Sequence, residues 1–343
     1  LSFLNDLGCR YAEPGEFTMR AYLNEKISLI EAEAISDLIS AESLERIKMV
    51  NKSLKGEFQK ETNKVILTLK KLRAETESEI DFNDQETNVE LSRLKTKIKD
   101  FNHILAEFNN KIEDAVLVNE GVKTIITGPE NAGKSTLMNI LTKYNTSIVS
   151  EIPGTTRDLV QKSVKIQGIK FEFIDSAGFS NKKQGKLEKI GADKAKTALK
   201  EANLIIELID PENLDYEMSY PKELKVIKVI NKSDLLKEKL GNQIYISAKF
   251  RENIEELEEA LINEVFFNKN KALNGFSARS RHSKLLTQSL KESLIAESLC
   301  EESSIELCAE HLKMASDLLG QIQNPYSSDD LLGEIFSSFC IGK

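Results

Sequence analysis

The spacing of apolar residues divides the chain into three stretches. Between residues 27 and 119, and again after residue 274, apolar side chains recur every three or four positions with lysine and glutamate between them, which is typical of amphipathic helices. Residues 121–268 instead alternate short β-branched runs with helical stretches, which predicts a doubly wound α/β sheet. The positions that define the helical pattern include Leu91, Leu94, Ile98, Phe101, Ile104, Leu105, Phe108 and Ile112, then Leu285, Leu286, Leu290, Leu294, Ile295, Leu307, Leu312, Met314 and Leu318.

This arrangement predicts a domain inserted within another domain. Two helical stretches on either side of a self-contained α/β segment would bury their apolar faces most simply by packing on each other. We predict a helical domain made of residues 1–119 and 269–343, with an α/β domain at 120–268 inserted in it. Residues 1–20 are expected to be a remnant or linker of a preceding domain, because the chain does not begin with Met. The polar, lysine-rich residues 268–274 are expected to be the return linker.

The α/β segment carries a phosphate-binding signature. Residues 128–135 read GPENAGKS, follow a β-branched run at 122–127 and precede a helical stretch at 136–144. Gly128 and Gly133 free the backbone to curl, so that its N–H groups and the positive end of the following helix surround nucleotide phosphates. The sequence therefore predicts a phosphate loop.

Two side chains of this loop, and one beyond it, have expected contacts. Lys134 would reach the β- and γ-phosphates, and the hydroxyl of Ser135 would bind Mg²⁺. Asp175, which directly follows another apolar strand, can hold the Mg²⁺ hydration shell.

Three more short motifs each follow a predicted strand. They read DSAG at 175–178, NKSD at 231–234 and SAK at 247–249. The carboxylate of Asp234 can accept from both the ring N–H and the exocyclic amine of guanine, and adenine offers no such donor pair. A backbone N–H at 247–249 would meet the guanine carbonyl oxygen. Each string alone is more often a turn, but together and in this order they predict a GTPase.

The segment departs from the Ras pattern at one position. Phe179 stands where Ras-like proteins use Gln to orient the attacking water, and an apolar ring cannot do this. Another group must place the water and offset the charge that develops between the phosphates. The candidates are Asn131 and residues 150–158, in which Thr156 would be the second Mg²⁺ ligand. On the residues alone, Asn131 is equally well explained as a turn residue.

Composition and charge limit the domain number, the classes of binding partner and the location that the sequence allows. The 343 residues suggest two domains, and 40% hydrophobic with 30% charged residues is a globular composition. A net charge of −8 argues against strong nucleic-acid binding by this chain alone, although a basic partner could supply it. The cysteines lack C-x-x-C spacing and the chain has no long apolar span, which predicts reduced thiols, a cytoplasmic location and no membrane contact.

Several motifs along the chain are shared with one known family. They are AEPGEFT at 12–18, RAYLN at 20–24, GPENAGKS at 128–135, IPGTTRD at 152–158, DSAGF at 175–179, LEKIG at 187–191 and CIGK at 340–343. On these motifs the chain resembles the MnmE (TrmE) family of tRNA-modification GTPases. The match covers nearly the whole chain, and the family's N-terminal folate-binding domain lies outside it. The resemblance implies a Ras-like G domain, a P-loop NTPase fold, inserted in an all-α helical domain.

The resemblance also implies a mechanism. Such proteins hydrolyse GTP with K⁺ in place of an arginine finger, and their G domains pair across the nucleotides. The ion would be held by Asn131 and by Ser150, Ile152 and Thr155. Glu188 matches the glutamate that orients or activates the attacking water; without the resemblance it would be an exposed helix carboxylate.

The family's partners and cofactors are implied in the same way. Its members dimerise through the G and N-terminal domains and form a heterotetramer with an FAD-containing partner, MnmG (GidA). They add a carboxymethylaminomethyl or aminomethyl group to C5 of the wobble uridine of certain tRNAs, and the carbon comes from methylene-tetrahydrofolate. Lys26 and Lys343 match folate-contacting positions, and Cys340 matches the C-terminal signature cysteine. On the residues alone, Lys26 is a solvated helix residue and Cys340 a small hydrophobe.

The complete set of expected site residues follows from the motifs and the resemblance. The expected catalytic residues are Glu188, Lys134, Thr155 and Cys340, and the Mg²⁺ ligands are Ser135 and Thr156. The expected GTP-binding residues are Asn131, Ala132, Gly133, Lys134, Ser135, Thr136, Ser150, Glu151, Ile152, Pro153, Gly154, Thr155, Thr156, Asp175, Ser176, Ala177, Gly178, Asn231, Lys232, Ser233, Asp234, Ser247, Ala248 and Lys249.

Two other classes share some of these features. A ribosome-assembly GTPase, the main alternative, has the same G motifs and the missing Gln, but usually carries a basic RNA-binding module, and no basic patch with interleaved aromatics follows residue 268. A dynamin-like assembly GTPase would share paired G domains and long helices, but should show an apolar or polybasic membrane element.

Overall fold

The computed structural model of the protein describes residues 3, 6–41, 43–81, 88–144, 161–175, 198–199, 201–216, 218–222, 224–236, 241, 243–301, 304–324, 336 and 339. The helices in chain order are α1 (Glu16–Leu23), α2 (Leu29–Ile39), α3 (Leu44–Leu54), α4 (Glu57–Asp81), α5 (Asn88–Glu120), α6 (Lys134–Tyr144), α7 (Ile254–Val265), α8 (Lys269–Leu273), α9 (Ser280–Ser298) and α10 (Ile305–Gly320). The strands are β1 (Val122–Thr127), β2 (Gln161–Ile166), β3 (Ile169–Asp175), β4 (Leu204–Ile209), β5 (Lys225–Ile230) and β6 (Ile244–Tyr245).

The chain forms two compact units. Residues 1–119 and 270–343 make a helical unit, and residues 120–269 make an α/β unit. One unit is thus inserted in the other, which confirms the predicted fold class.

The helical unit forms from the periodic apolar positions. Along α5, Leu94, Ile98, Phe101, Leu105, Phe108 and Ile112 recur at three- to four-residue spacing, and all are buried. Helix α2 begins with a capping box, in which the Ser28 hydroxyl accepts from the N–H of Glu31 and the Glu31 carboxylate accepts from the N–H of Ser28.

Four positions of the predicted apolar faces are exposed. Ile104, Leu294, Leu307 and Met314 are between 44% and 50% exposed. The spacing identifies the apolar face of each helix, but the width of that face that neighbours cover depends on packing, which the pattern does not encode.

Two predicted linkers are partly helical. Residues 1–20 were expected to be a remnant or linker, but α1 begins at Glu16. Residues 268–274 were expected to be the return linker, but they contain α8, whose Ala272 is buried.

An aromatic cluster joins the end of the chain to α2. Phe336 and Phe339 are buried against Leu29 and Ala32. Gly15, in the left-handed region with φ 68°, precedes α1, and a Cβ there would lie 2.7 Å from the carbonyl oxygen of Phe336. The close approach requires glycine at this position.

A buried carboxylate fixes both chain segments that lead to the insertion. Asp37 on α2 accepts from Asn119 (3.1 Å), Ser277 (3.0 Å) and Arg279 (2.8 Å). Asn119 lies at the end of the first helical segment, and Ser277 and Arg279 lie in the segment that returns. One side chain of α2 therefore holds the outgoing and returning segments within the helical unit.

The α/β unit is built on a six-stranded sheet in the order β2-β3-β1-β4-β5-β6. Strand β2 is antiparallel to β3, and the other neighbouring pairs are parallel. The central strand β4 is buried along its whole length. Because β1, β4, β5 and β6 are parallel, the loops that follow them meet at one edge of the sheet, which is the usual ligand edge of an open α/β sheet.

Candidate nucleotide-binding site

The loop between β1 and α6 has the backbone of a phosphate cradle. Gly128 has φ 139° and Gly133 has φ 95°, both in the region that favours glycine. A Cβ on Gly128 would lie 1.9 Å from the carbonyl oxygen of Leu208, and a Cβ on Gly133 would lie 2.2 Å from Nδ2 of Asn231. Both glycines are therefore required by the neighbouring loops as well as by the turn. Asn131, with φ 63°, also occupies the left-handed region.

Helix α6 starts at the lysine of the signature. The Lys134 ammonium donates to the carbonyl oxygens of Gly128 (2.9 Å) and Pro129 (2.7 Å), so the loop holds the charge over its own first turn. Ser135 and Thr136 are exposed in the first turn of α6. A helix start with a lysine and exposed hydroxyls fits an anionic phosphate group, and hydroxyl oxygen is a ligand type that suits Mg²⁺.

Asn231 connects the phosphate loop to the third motif. Its side chain is buried, donates to the carbonyl oxygen of Ala132 (2.7 Å) and accepts from the N–H of Ala248 (2.9 Å). Its own backbone N–H donates to Ile209 at the end of β4 (2.8 Å). One amide thus fixes three loops at the sheet edge relative to each other.

The proposed reader of guanine is held by a serine of the SAK motif. The Ser247 hydroxyl donates to Oδ1 of Asp234 (2.6 Å) and accepts from the N–H of Phe250 (3.3 Å). Asp234 is exposed and lies in a short 3-10 helix at Ser233–Leu235. Its carboxylate is therefore oriented while remaining open to a ligand.

Sequence reasoning missed Asp210, which holds the lysine of the NKSD motif. Asp210 is 2% exposed and accepts from Nζ of Lys232 (2.8 Å) and from Nδ2 of Asn213 (2.7 Å). Burial alone would raise the pKa of Asp210, but the hydrogen bonds from Lys232 and Asn213 and the lysine charge hold it below its usual value. The signal was available, because Asp210 directly follows an apolar strand, as Asp175 does.

The structure brings together only part of the predicted site. The phosphate loop, the NKSD motif and the SAK motif meet at one sheet edge, and Asp175 ends β3. Lys26 lies exposed in a bend after α1, in the helical unit. The predicted site residues that lie outside the described residues are Ser150, Glu151, Ile152, Pro153, Gly154, Thr155, Thr156, Ser176, Ala177, Gly178, Glu188, Cys340 and Lys343, together with Phe179.

The described part of the chain lacks two kinds of feature. Its residues contain no group of three or more His, Cys, Asp or Glu arranged to hold a metal ion. Among the same residues, none of the helices is both long enough and apolar enough to span a bilayer.

A phosphate loop after β1, with the NKSD and SAK motifs after β5 and β6 of a Ras-like sheet, defines a P-loop GTPase. Comparison with known proteins identifies its family. The family model described as the MnmE helical domain matches residues 29–340. The tRNA modification GTPases MnmE of Francisella tularensis subsp. holarctica and of Nitrosomonas eutropha are each 37% identical, over 98% of this chain and 78% of their own length. The chain belongs to the MnmE family.

A solved structure that is similar to part of the chain is the G domain of the T. maritima FeoB iron transporter. It is 27% identical with a TM-score of 0.30, and the match covers 42% of this chain and 98% of that one.

Proposed function

We propose that this protein binds and hydrolyses GTP and that hydrolysis serves the modification of tRNA, as the names of its relatives indicate for them. The observation that carries the proposal is the Asn231 bridge, because Asn231 joins the phosphate loop at Ala132 to the SAK motif at Ala248, and Ser247 of that motif donates to Asp234. A guanine reader and a phosphate cradle in fixed relation match one ligand, a guanine nucleotide with at least two phosphates.

The base assignment is tested by Asp234→Asn. The substitution replaces one acceptor oxygen with an amide donor, which opposes guanine and matches the extra carbonyl of xanthine. GTP affinity should fall by about thirtyfold or more, and xanthosine triphosphate should gain affinity, because a polar mismatch that the bound base covers from water costs about 2 kcal/mol or more. The matched control is Asp215→Asn, an exposed aspartate of the same unit. Unchanged GTP affinity with no gain for the xanthine nucleotide would reject the assignment.

The catalytic proposal is that K⁺ supplies the positive charge of an arginine finger. Asn131 is exposed on the phosphate loop, where its side chain is open to an ion near the β- and γ-phosphates. Ser150, Ile152 and Thr155 would complete the K⁺ site, and Thr156 would join Ser135 on Mg²⁺. Because this charge acts in the transition state, K⁺ should affect kcat more than nucleotide affinity.

Replacement of K⁺ by Na⁺, or Asn131→Ala, should lower kcat at least tenfold, or about 1.4 kcal/mol. Glu130→Ala, at the neighbouring exposed loop position, is the control and should leave kcat within twofold. Equal rates in the two salts would reject the K⁺ role. With GDP and a planar fluoride mimic, K⁺ should also cause the G domains to pair, which light scattering would detect.

We assign the orientation or activation of the attacking water to Glu188. Glu188→Ala should bind GTP and still pair in K⁺, but its single-turnover rate should fall about a hundredfold, as for removal of a general base. A single-turnover rate within twofold of the parent would reject a catalytic role for Glu188.

The wider proposal is that the protein acts with an FAD-containing MnmG (GidA) partner, as a heterotetramer in the cytoplasm. The complex would add a carboxymethylaminomethyl or aminomethyl group to C5 of the tRNA wobble uridine. Folate would contact Lys26 and Lys343, and Cys340 would take part in the chemistry or in structure. The test is the wobble-uridine content of tRNA in a deletion strain. Loss of the modification supports the proposal, whereas intact tRNA with defective ribosomal subunits would favour the ribosome-assembly alternative.

A further inference from the structure

A row of polar residues crosses the buried sheet directly beneath the phosphate loop. Thr127 of β1 pairs in register with Glu207 of β4, and Glu207 pairs with Lys228 of β5, so the three side chains share one face. Thr127 is the last residue before Gly128, and the neighbours on this face of β1 and β4 are isoleucines. A carboxylate in such a row requires compensating partners, because a buried charge is costly unless it is paired and hydrogen-bonded.

Glu207 is 1% exposed and its two oxygens have different surroundings. Oε1 accepts from the Tyr220 hydroxyl (3.1 Å) and from the N–H of Met218 (3.3 Å). Oε2 has no hydrogen-bond partner among the described residues, and Nζ of Lys228 lies 3.6 Å from it. The carboxylate therefore holds the segment that carries Met218 and Tyr220 over the end of β4.

Tyr220 transmits this contact to the phosphate loop. Its hydroxyl lies 2.7 Å from Oγ1 of Thr127 and 3.1 Å from Glu207. Because an ionised carboxylate can only accept, the tyrosine donates to Glu207 and accepts from the threonine. Burial raises the pKa of Tyr220, the hydrogen bond from Thr127 lowers it by less than burial raises it, and the charge of Glu207 raises it again, so the hydroxyl remains a donor at neutral pH.

The backbone next to the Thr127–Glu207 pair is held as well, at Gly128, which follows Thr127, and at Leu208, which follows Glu207. Gly128 approaches the carbonyl oxygen of Leu208 so closely that a Cβ would lie 1.9 Å from it. The carbonyl of Gly128 in turn accepts from Lys134. The base of the phosphate loop thus rests on Glu207 and Leu208 of β4, through a hydroxyl chain at Thr127 and a backbone contact at Gly128.

We propose that Glu207 and Tyr220 are positioning residues for the phosphate loop: through Thr127 they fix the carbonyl group on which Lys134 rests, and so set affinity for the β-phosphate. The proposal rests on the proposed binding of guanine nucleotides. It separates two parts of the site, because guanine is met by loops after β5 and β6 and the phosphates by the loop after β1.

The test compares GDP with GMP, which lacks the β-phosphate, by competition against a fluorescent GDP analogue. Tyr220→Phe keeps the ring and removes the bridging hydroxyl. It should weaken GDP about tenfold and GMP by no more than about twofold. The control is Tyr216→Phe, the same change on the same segment, whose hydroxyl contacts Sδ of Met218 (3.7 Å); it should leave both affinities within twofold.

Variants at Glu207 distinguish positioning from a purely structural role. Glu207→Gln keeps an oxygen acceptor for Tyr220 and should retain a GDP-to-GMP affinity ratio within about threefold of the parent. Glu207→Leu removes the acceptor and should resemble Tyr220→Phe, and the double variant should be no worse than either single one, because the two residues act through one chain of hydrogen bonds. If Glu207→Leu does not fold, Tyr220→Phe decides the question alone.

The outcomes separate this inference from the proposed function. If the parent protein binds no GDP, both the proposed function and this inference fail. If the parent binds GDP but Tyr220→Phe lowers only the melting temperature and leaves the GDP-to-GMP ratio unchanged, the contacts are structural and the inference alone is overturned. A selective loss of GDP affinity supports it.

Discussion

The Asn231 bridge makes a quantitative prediction about stability as well as about ligand binding. Asn231→Ala removes the amide that donates to the carbonyl oxygen of Ala132 and accepts from the N–H of Ala248. Ala132 is 0% exposed and Ala248 is 1% exposed, so water cannot readily replace the lost side chain. Both backbone groups become buried and unpaired.

The magnitude follows from these two groups. Each buried backbone group left without a partner costs about 1–3 kcal/mol, so Asn231→Ala should destabilise the α/β unit by about 2–6 kcal/mol. Total stabilities of domains are about 5–15 kcal/mol, so the loss is a large share. The variant should also bind GDP weakly, because the two loops that meet the base and the phosphates lose their fixed relation.

Native-state hydrogen exchange is the suitable assay. The chain has no tryptophan and contains two compact units, so one unfolding curve would mix the two. Peptides from β1 and β5 should lose protection in Asn231→Ala, while peptides from α9 should not. The control is Asn139→Ala, whose exposed side chain accepts from Lys162 (2.6 Å) and should cost less than about 0.5 kcal/mol. Unchanged protection in Asn231→Ala would refute the bridge as a stabilising element.

Four further outcomes are expected. Asp210→Asn should weaken GTP and GDP equally, by about three- to tenfold in fluorescence titrations, with kcat within twofold, because it loosens Lys232 in both states. Asp37→Ala should cost about 3–5 kcal/mol, seen as faster hydrogen exchange in α2, because charged and polar partners lose a buried carboxylate. Burial and neighbouring arginine charge lower the pKa of His282 against the pull of a carboxylate. The unfolded chain therefore takes up a proton first, and stability should fall as pH drops below 6.5; thermal unfolding from pH 8 to 5 should show this, and His282→Gln should flatten it. Gly128→Ala should abolish GDP binding in the same titrations, because its Cβ would meet a β4 carbonyl oxygen.

The sequence predicted the elements and the motifs better than the contacts between them. The strands and the G motifs could be identified because each motif follows an apolar run, and parallel strands bring their carboxyl ends to one edge. Asp210 was missed although it follows an apolar strand, because its partner Lys232 lies 22 positions away in the sequence and only the fold brings the two together. The polar row of Thr127, Glu207 and Lys228 was also missed, because a single glutamate in an apolar strand gives no motif.

Helices α8 and α1 were not predicted, and in each case the reason lies in the local sequence. Helix α8 has five residues, which is too short for a helical period to be recognised. Helix α1 begins after Gly15, which makes no side-chain cap, so the usual start signal of a serine, threonine or aspartate is absent. Ile104 shows the opposite error, since a residue on the predicted apolar face is 49% exposed. Periodicity gives the direction of a face, whereas its coverage is decided by neighbouring helices.

The arrangement of the sheet gives β4 a role that its sequence does not announce. Strand β4 lies between β1, which leads to the phosphate loop, and β5, which leads to the NKSD motif. Its end serves both sides: Glu207 in the strand contacts Thr127 through Tyr220, and Asp210, directly after the strand, accepts from Lys232. Asn231 also donates its backbone N–H to Ile209. The loops proposed to meet the base and the phosphates are therefore both held against one buried strand, β4. Changes in β4 should therefore alter nucleotide affinity without touching any residue of the G motifs.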